Sequence, residues 1–253
     1  VVVIDQNGQY VKSLVLNYDF FGRSRDLAID SAGNLFFVVE SSGNQNQIYR
    51  VSTIDGSSTN LGADYDHYQD ISRIAINDNN QVFFVAYSFN NQNTIKLYQF
   101  LNTATSIGSG TTVSISSPTD LESSSFDLQI DQNDQKPLLA TQNGIYKFNN
   151  SNAVIAKYLT FGTGKKQFNY AAAIHMTANG QLMVLDMYKN SLLKFPTTNL
   201  YFKSFSNTQI SSFVALASGD FYVSDGSKVL KLDPTGQVYW DSTAVVTMTM
   251  IGD

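Results

Sequence analysis

The sequence has no cysteine and only two histidines, and charged side chains make up 15% of its 253 residues. Without cysteine there is no disulfide, no thiolate nucleophile and no Cys-ligated zinc, and the compartment stays open because a large β core needs no covalent staple. Basic charge is scarce as well. The formal net charge is −5, so the basic surface that nucleic-acid binders concentrate on one face is missing, and nucleic acid is excluded as a partner. No apolar run approaches the roughly 18 residues of a membrane helix, and no signal peptide is recognisable, so no membrane insertion is expected. The chain starts at Val1 with the strand-like VVVI rather than with methionine, which leads us to expect a piece of a longer product.

What the sequence does contain is 43% hydrophobic residues, enough for a sizeable core, with a surface wetted by Asn, Gln, Ser and Thr. That composition fits an extracellular setting or a biased genome. Five segments repeat one pattern: IDSAGNLFFV from Ile29, INDNNQVFFV from Ile76, IDQNDQKPLL from Ile130, MTANGQLMVL from Met176 and LASGDFYVS from Leu216. Each reads as a strand end, a polar turn, and a second strand rich in β-branched and aromatic residues. Tight hairpins need positive φ, which Gly and Asn tolerate best. The turns are therefore expected at Gly33, Asn80, Asn133, Gly180 and Gly219, all on one face. A further strand follows each hairpin and carries a cation before its last apolar residue: Arg50, Lys96, Lys147, Lys194 and Lys231. We read these as solvated stems packed along a sheet. A fourth strand is clearest as GQVYW before Asp241 and GQYVKSLVL before Asn17.

Short antiparallel strands in groups of four predict an all-β fold, a β-propeller. The run Val184-Leu185-Asp186-Met187-Tyr188-Lys189-Asn190-Ser191-Leu192-Leu193-Lys194-Phe195 resembles the strand, Asp, loop, Asn, strand pattern of NHL-repeat propellers. Phe221 to Asp225 repeats its first half, Glu40 stands for the Asp in the first complete unit, and the Asp is missing around 100–145. The chain is expected to be one domain over 1–253 with six four-stranded antiparallel blades: 25–62, 72–116, 126–161, 172–206, 211–242, and a sixth closed by the N- and C-terminal segments 1–17 and 244–253. Ile4 to Gly8 aligns with Leu232 to Gly236, and Gly252-Asp253 with Gly219-Asp220. One middle strand of the sixth blade is then unaccounted for, which invites strand addition from chain beyond either end or from another copy.

Candidate chemistry lies in the loops of the opposite face. Asp64, Tyr65, Asp66, His67, Tyr68 and Asp70 gather carboxylates, an imidazole and two aromatic rings. Oxygen ligands so spaced could hold Ca²⁺, but the loop lacks the EF-hand glycine and terminal Glu, and it reads as a surface whose tyrosines contact a partner or pack inward. Lys165 and Lys166 follow Gly162-Thr163-Gly164, which lacks Walker spacing and a following helix, so it is a loop rather than a phosphate cradle. His175, in the strand AAAIHMT, reads as a structural histidine. Asn149-Asn150-Ser151 is a glycosylation sequon.

No catalytic residue, metal ligand or cofactor is assigned. The expected function is a non-catalytic scaffold, extracellular or at the cell surface, that binds protein or glycan or assembles with copies of itself. The alternative is a metal-dependent hydrolase resembling the gluconolactonase-type propellers, which hold a divalent ion in the channel with Glu, Asn and Asp. The inner strands show no convincing set of that kind.

Overall fold

The computed structural model describes residues 2–4, 10–13, 24–40, 46–63, 69–88, 94–105, 111–114, 125–141, 143–151, 153–162, 167–177, 180–186, 188, 191–195, 212–216, 218, 220–224, 229–233 and 237–241. β1 (Val2–Ile4) and β2 (Tyr10–Ser13) form a pair. The first large sheet is β3 (Ser24–Ile29), β4 (Asn34–Glu40), β5 (Asn46–Ser52) and β6 (Ser58–Ala63). The second is β7 (Gln69–Ile76), β8 (Gln81–Ser88), β9 (Thr94–Leu101) and β10 (Thr111–Ser114). The third is β11 (Ser125–Asp131), β12 (Lys136–Thr141), β13 (Gly144–Phe148), β14 (Val154–Phe161) and the short β15 (Gln167–Phe168). The fourth is β16 (Ala171–Met176), β17 (Leu182–Asp186) and β18 (Ser191–Phe195), and the fifth is β19 (Ser212–Ala215), β20 (Phe221–Ser224), β21 (Val229–Leu232) and β22 (Val238–Asp241). Every sheet runs in sequence order. All pairings are antiparallel except β14 with β15.

The sheets stack face to face. Phe36, Val38 and Ile48 of the first meet Ile71, Ile74, Val82 and Phe84 of the second. Ala75, Phe83, Val85 and Leu97 of the second meet Leu128, Ile130, Leu139 and Phe148 of the third. The same interleaving joins the third to the fourth and the fourth to the fifth. Successive side chains of a strand point to opposite faces, and here both faces are covered. The second strands therefore read as near-continuous apolar runs, LFFVV, VFFVA and LMVL, without polar alternation. The first strand of each sheet lies beside the first strand of the next, β3 by β7, β7 by β11, β11 by β16 and β16 by β19.

The turn chemistry follows expectation in three hairpins. Asp30, Asn77 and Thr177 open the turns, and their side-chain oxygens accept the N–H of Asn34, Gln81 and Gln181. The third loop residue takes positive φ: Gly33 at 82°, Asn80 at 58° and Gly180 at 75°. In the β11–β12 hairpin the left-handed residue is Gln135, φ 61°, rather than Asn133, because that loop is longer and Asp131 pairs with Lys136. Neighbouring turns touch. Ser31 Oγ donates to Asn80 Oδ1 at 3.1 Å, Asn77 Nδ2 to the Gln135 carbonyl at 3.0 Å, and Asn133 Nδ2 to the Thr177 carbonyl at 3.1 Å. These four turns thus share a face; Gly219 lies outside the described residues.

Three of the recurring cations are tied to that face instead of being solvated stems. Arg50 Nη1 donates to the Asn102 carbonyl, and the Asn102 amide donates to Asp30. Lys147 pairs with Asp131 and Asp134, and Lys231 lies 3.7 Å from Asp220. A long stem reaching down its strand meets the carboxylates that built the turns.

Candidate functional site

The first strands of four sheets carry a bulge at the same place. Their registers shift between Ser24 and Asp26, Ile71 and Arg73, Ser125 and Asp127, and Ala171 and Ala173. A bulge breaks the ladder locally and re-aims side chains. The residue after it is Asp26, Arg73, Asp127 or Ala173, each four positions before the turn opener, on the side facing the following sheet. Ala173 packs with the fifth sheet while Ile174 packs with the third.

The two carboxylates at this position reach across to the next sheet. Asp26 Oδ2 accepts the N–H of Ile74 at 2.8 Å, and its Oδ1 accepts the N–H of Leu27 at 2.9 Å. Asp127 does the same one sheet pair further on, accepting Ile174 N–H at 2.7 Å and Leu128 N–H at 2.9 Å. Gln129 Nε2 also approaches both Asp127 oxygens at 3.5 Å. Arg73 sits between the two carboxylates in sequence of sheets, and its Nη1 donates to the Ser72 carbonyl at 2.8 Å.

Burial pushes the Asp26 carboxyl up to about 7, against the pull of the Arg73 charge and of the Ile74 N–H, with Asp127 adding repulsion. Burial likewise raises Asp127, opposed by Ile174 N–H, Arg73 and Gln129. Half-buried Asp26 and buried Asp127 each accept two backbone N–H bonds and so act as structural ties, and one guanidinium acting on both offsets part of their charge. Among the described residues no three His, Asp, Glu or Cys side chains gather as metal ligands.

Two further groups shape the site. His175 is half-buried with its ring edge-on to Phe213 at 6.4 Å, and burial lowers it to about 4, so it is neutral near pH 7. Asp186, fully buried at the end of β17, accepts the N–H of Asn169 at 2.8 Å and of Tyr170 at 3.4 Å, anchoring the segment that leads into β16. In the first sheet the residue paired just before the bulge is Val39, opposite Ser24, as Asp186 is opposite Ala171. Glu40 is one position further along and closes the β4–β5 ladder opposite Asn46, as Asp186 closes β17–β18 opposite Ser191.

Of the residues singled out in the sequence, Asp64, Tyr65, Asp66, His67, Tyr68, Lys165, Lys166 and Asp225 lie outside the described residues. Asp70 is not in a loop but in β7, paired with Tyr87. Asp26, Arg73 and Asp127 were missed, although one signal was present: a charged residue stands four positions before the turn opener in three consecutive repeats.

No protein-family model matches the sequence, and no curated protein does. Solved structures do match in fold. A protein of unknown function from Bacteroides caccae superposes with a TM-score of 0.63 at 12% identity, covering 95% of this chain and 88% of that one. A provisionally assigned gluconolactonase gives 0.62 at 12% identity, covering 93% and 82%. Ycf48, solved bound to a D1 peptide, gives 0.57 at 10% identity, covering 89% and 68%. With the stacked, sequentially ordered antiparallel sheets, these likenesses define the fold as a β-propeller, and at such identities they define nothing more.

Proposed function

We propose that this chain is a six-bladed propeller of the NHL-like kind acting as a non-catalytic binding scaffold, extracellular or at the cell surface. The observation that supports it is the use made of the inner-strand charges. Asp26 and Asp127 each give one oxygen to a backbone N–H of the next sheet and the other to the N–H of the following residue in their own strand, and Arg73 supplies the positive charge that a lactonase-type site takes from a divalent ion. Recognition then falls to the loops, as it does in many propellers. In this reading β1 and β2 belong to the sixth blade; Lys12 of β2 donates to the Thr53 carbonyl of the first sheet at 2.9 Å. Completion of that blade by another copy is part of the same proposal.

The experiment is elemental analysis of purified protein together with an aldonolactone hydrolysis assay at pH 7.5 with added Ca²⁺, Mn²⁺ or Zn²⁺. The scaffold reading expects no stoichiometric metal and hydrolysis at the uncatalysed rate. Metal-dependent turnover that Asp26→Ala or Asp127→Ala abolishes, with the fold retained, would replace it with the hydrolase reading.

A further inference from the structure

The turn between β13 and β14 carries Asn149-Asn150-Ser151, the one Asn-x-Ser/Thr sequon in the chain. It is built like the turns opened by Asp30 and Asn77. Asn149 Oδ1 accepts the N–H of Ser151 and of Ala153, both at 2.9 Å, and Asn149 N–H donates to the Ala153 carbonyl at 2.9 Å. Gln99 Nε2 of β9 donates to the Asn150 carbonyl at 3.0 Å and ties the turn to the second sheet, while the Asn150 and Ser151 side chains are exposed. The other end of the Asn149 amide sets it apart from Asn77. Asn77 Nδ2 donates to Gln81 Oε1 and to the Gln135 carbonyl, both at 3.0 Å. Among the described residues no acceptor takes a bond from Asn149 Nδ2. A substituent on Asn149 Nδ2 therefore leaves both turn-closing bonds on Oδ1 in place, whereas on Asn77 it would displace bonds that join two sheets.

The strand entered from this turn needs cover. β14 is the outer strand of the third sheet over most of its length, because β15 pairs only with Thr160 and Phe161 at its far end. Over Val154 to Leu159 no described strand lies on its outer side. That stretch shows apolar side chains to water, Val154 43% exposed, Ile155 48% and Tyr158 39%. Its lysine, Lys157, leans back over the Tyr146 ring of β13, 5.1 Å from the centroid. The outer strand of the first sheet, β6, instead presents Ser58, Thr59 and Asn60. A long apolar sheet edge with open backbone groups is a template for pairing with another chain, and bulky polar cover is one way to blunt it.

We infer that Asn149 is an N-glycosylation site and that its glycan covers the open apolar edge of β14. This rests on the extracellular placement in the scaffold reading. In the transfer, Asn149 Nδ2 bonds to the anomeric carbon of an oligosaccharide carried on a lipid pyrophosphate. The bond from that carbon to the pyrophosphate oxygen breaks, the lipid pyrophosphate leaves with the bonding pair, and Nδ2 gives up one proton. The test is expression of the full chain behind a secretory signal peptide in glycosylating eukaryotic cells, with intact-mass measurement and peptide mapping of both secreted and cell-retained protein. Wild type and Ser151→Thr are expected to carry one glycan, on Asn149, that peptide-N-glycosidase removes. Ser151→Ala keeps the turn, since Ser151 enters it through its backbone N–H, and is expected to carry none. By light scattering the Ser151→Ala protein should show a higher weight-average mass than glycosylated wild type, with the same circular dichroism spectrum. Adding Ile155→Lys should bring that mass back down, because a charge on the edge opposes strand pairing as a glycan does. The inference is overturned if Asn149 stays bare, if Ser151→Ala associates no more than glycosylated wild type, or if Ile155→Lys leaves the association unchanged. A bare Asn149 leaves the scaffold reading standing, whereas metal-dependent lactone turnover would remove that reading and leave the glycan.

Discussion

Replacing Arg73 with Met keeps a long apolar stem between the sheets but removes the only cation acting on both Asp26 and Asp127 among the described residues. Asp26 has a folded value near 7, above its unfolded 3.8, so the folded state holds more protons between those limits and stability falls as pH rises from about 4 to 7. Removing the guanidinium raises both folded carboxyls further and extends that fall upward. An adjacent opposite charge shifts a carboxyl by about 1–3 units. Arg73 is half-buried, so the low end applies, about one unit for each carboxylate, or roughly 2–3 kcal/mol together above the new values. The lost bond to the Ser72 carbonyl adds about 1 kcal/mol at every pH. Urea denaturation at pH 4.5, 6, 7.5 and 9 should show Arg73→Met losing about 1 kcal/mol in acid and about 3–4 kcal/mol at pH 9. A loss independent of pH, or larger in acid, would refute the coupling.

Lys147→Met should cost about 2–3 kcal/mol near neutrality, less than a fully orphaned buried charge, because Asp131 keeps two bonds from Asn133. Partial desolvation works to raise the exposed Asp134, but Lys147 and Lys136 hold it below its usual value. That contribution exists above about pH 4 and is lost below it, so the cost of Lys147→Met should shrink in acid denaturation curves. His175 carries the opposite pH signature to Asp26: its folded value near 4 lies below the unfolded 6.5, so protonation of the unfolded chain erodes stability as pH falls between those values. His175→Gln should remove that erosion, so that its melting temperature measured against wild type climbs as pH falls from 6.5 to 4. Gly33→Ala should destabilise by about 1–2 kcal/mol, since φ is 82° and the new Cβ would meet Thr53 Oγ1 at 3.0 Å. Asn80→Gly, at a position with the same handedness, should stay within about 0.5 kcal/mol in the same thermal melts.

The hairpins were legible because their requirement is local. Asp30, Asn77 and Thr177 must cap the turn, and Gly33, Asn80 and Gly180 must turn left-handed, whatever surrounds them. At Gln135 the same reasoning was two positions off, since a longer loop with Gln in the left-handed place carries no Gly or Asn to mark it. The cations on the third strands were visible as a pattern, but their partners, Asp131 and Asp220, belong to a strand pair away, and only the folded register brings them together. The inner ties were hidden for a related reason. The repeat was recognised from Ile29, Ile76 and Ile130 onward, three residues past Asp26, Arg73 and Asp127. Their meaning also depends on bulges that a periodicity of two does not announce.

The claim on which the scaffold reading turns is that the inner carboxylates tie one sheet to the next. Site-resolved amide hydrogen exchange tests it directly, because each tie ends on one identified N–H. Asp26→Ala should accelerate exchange at Ile74 by about tenfold or more while leaving Ile174 near its wild-type rate, and Asp127→Ala should do the reverse. Exchange at Ile74 and Ile174 that is unchanged in both variants, or raised equally in both by either one, would contradict the account.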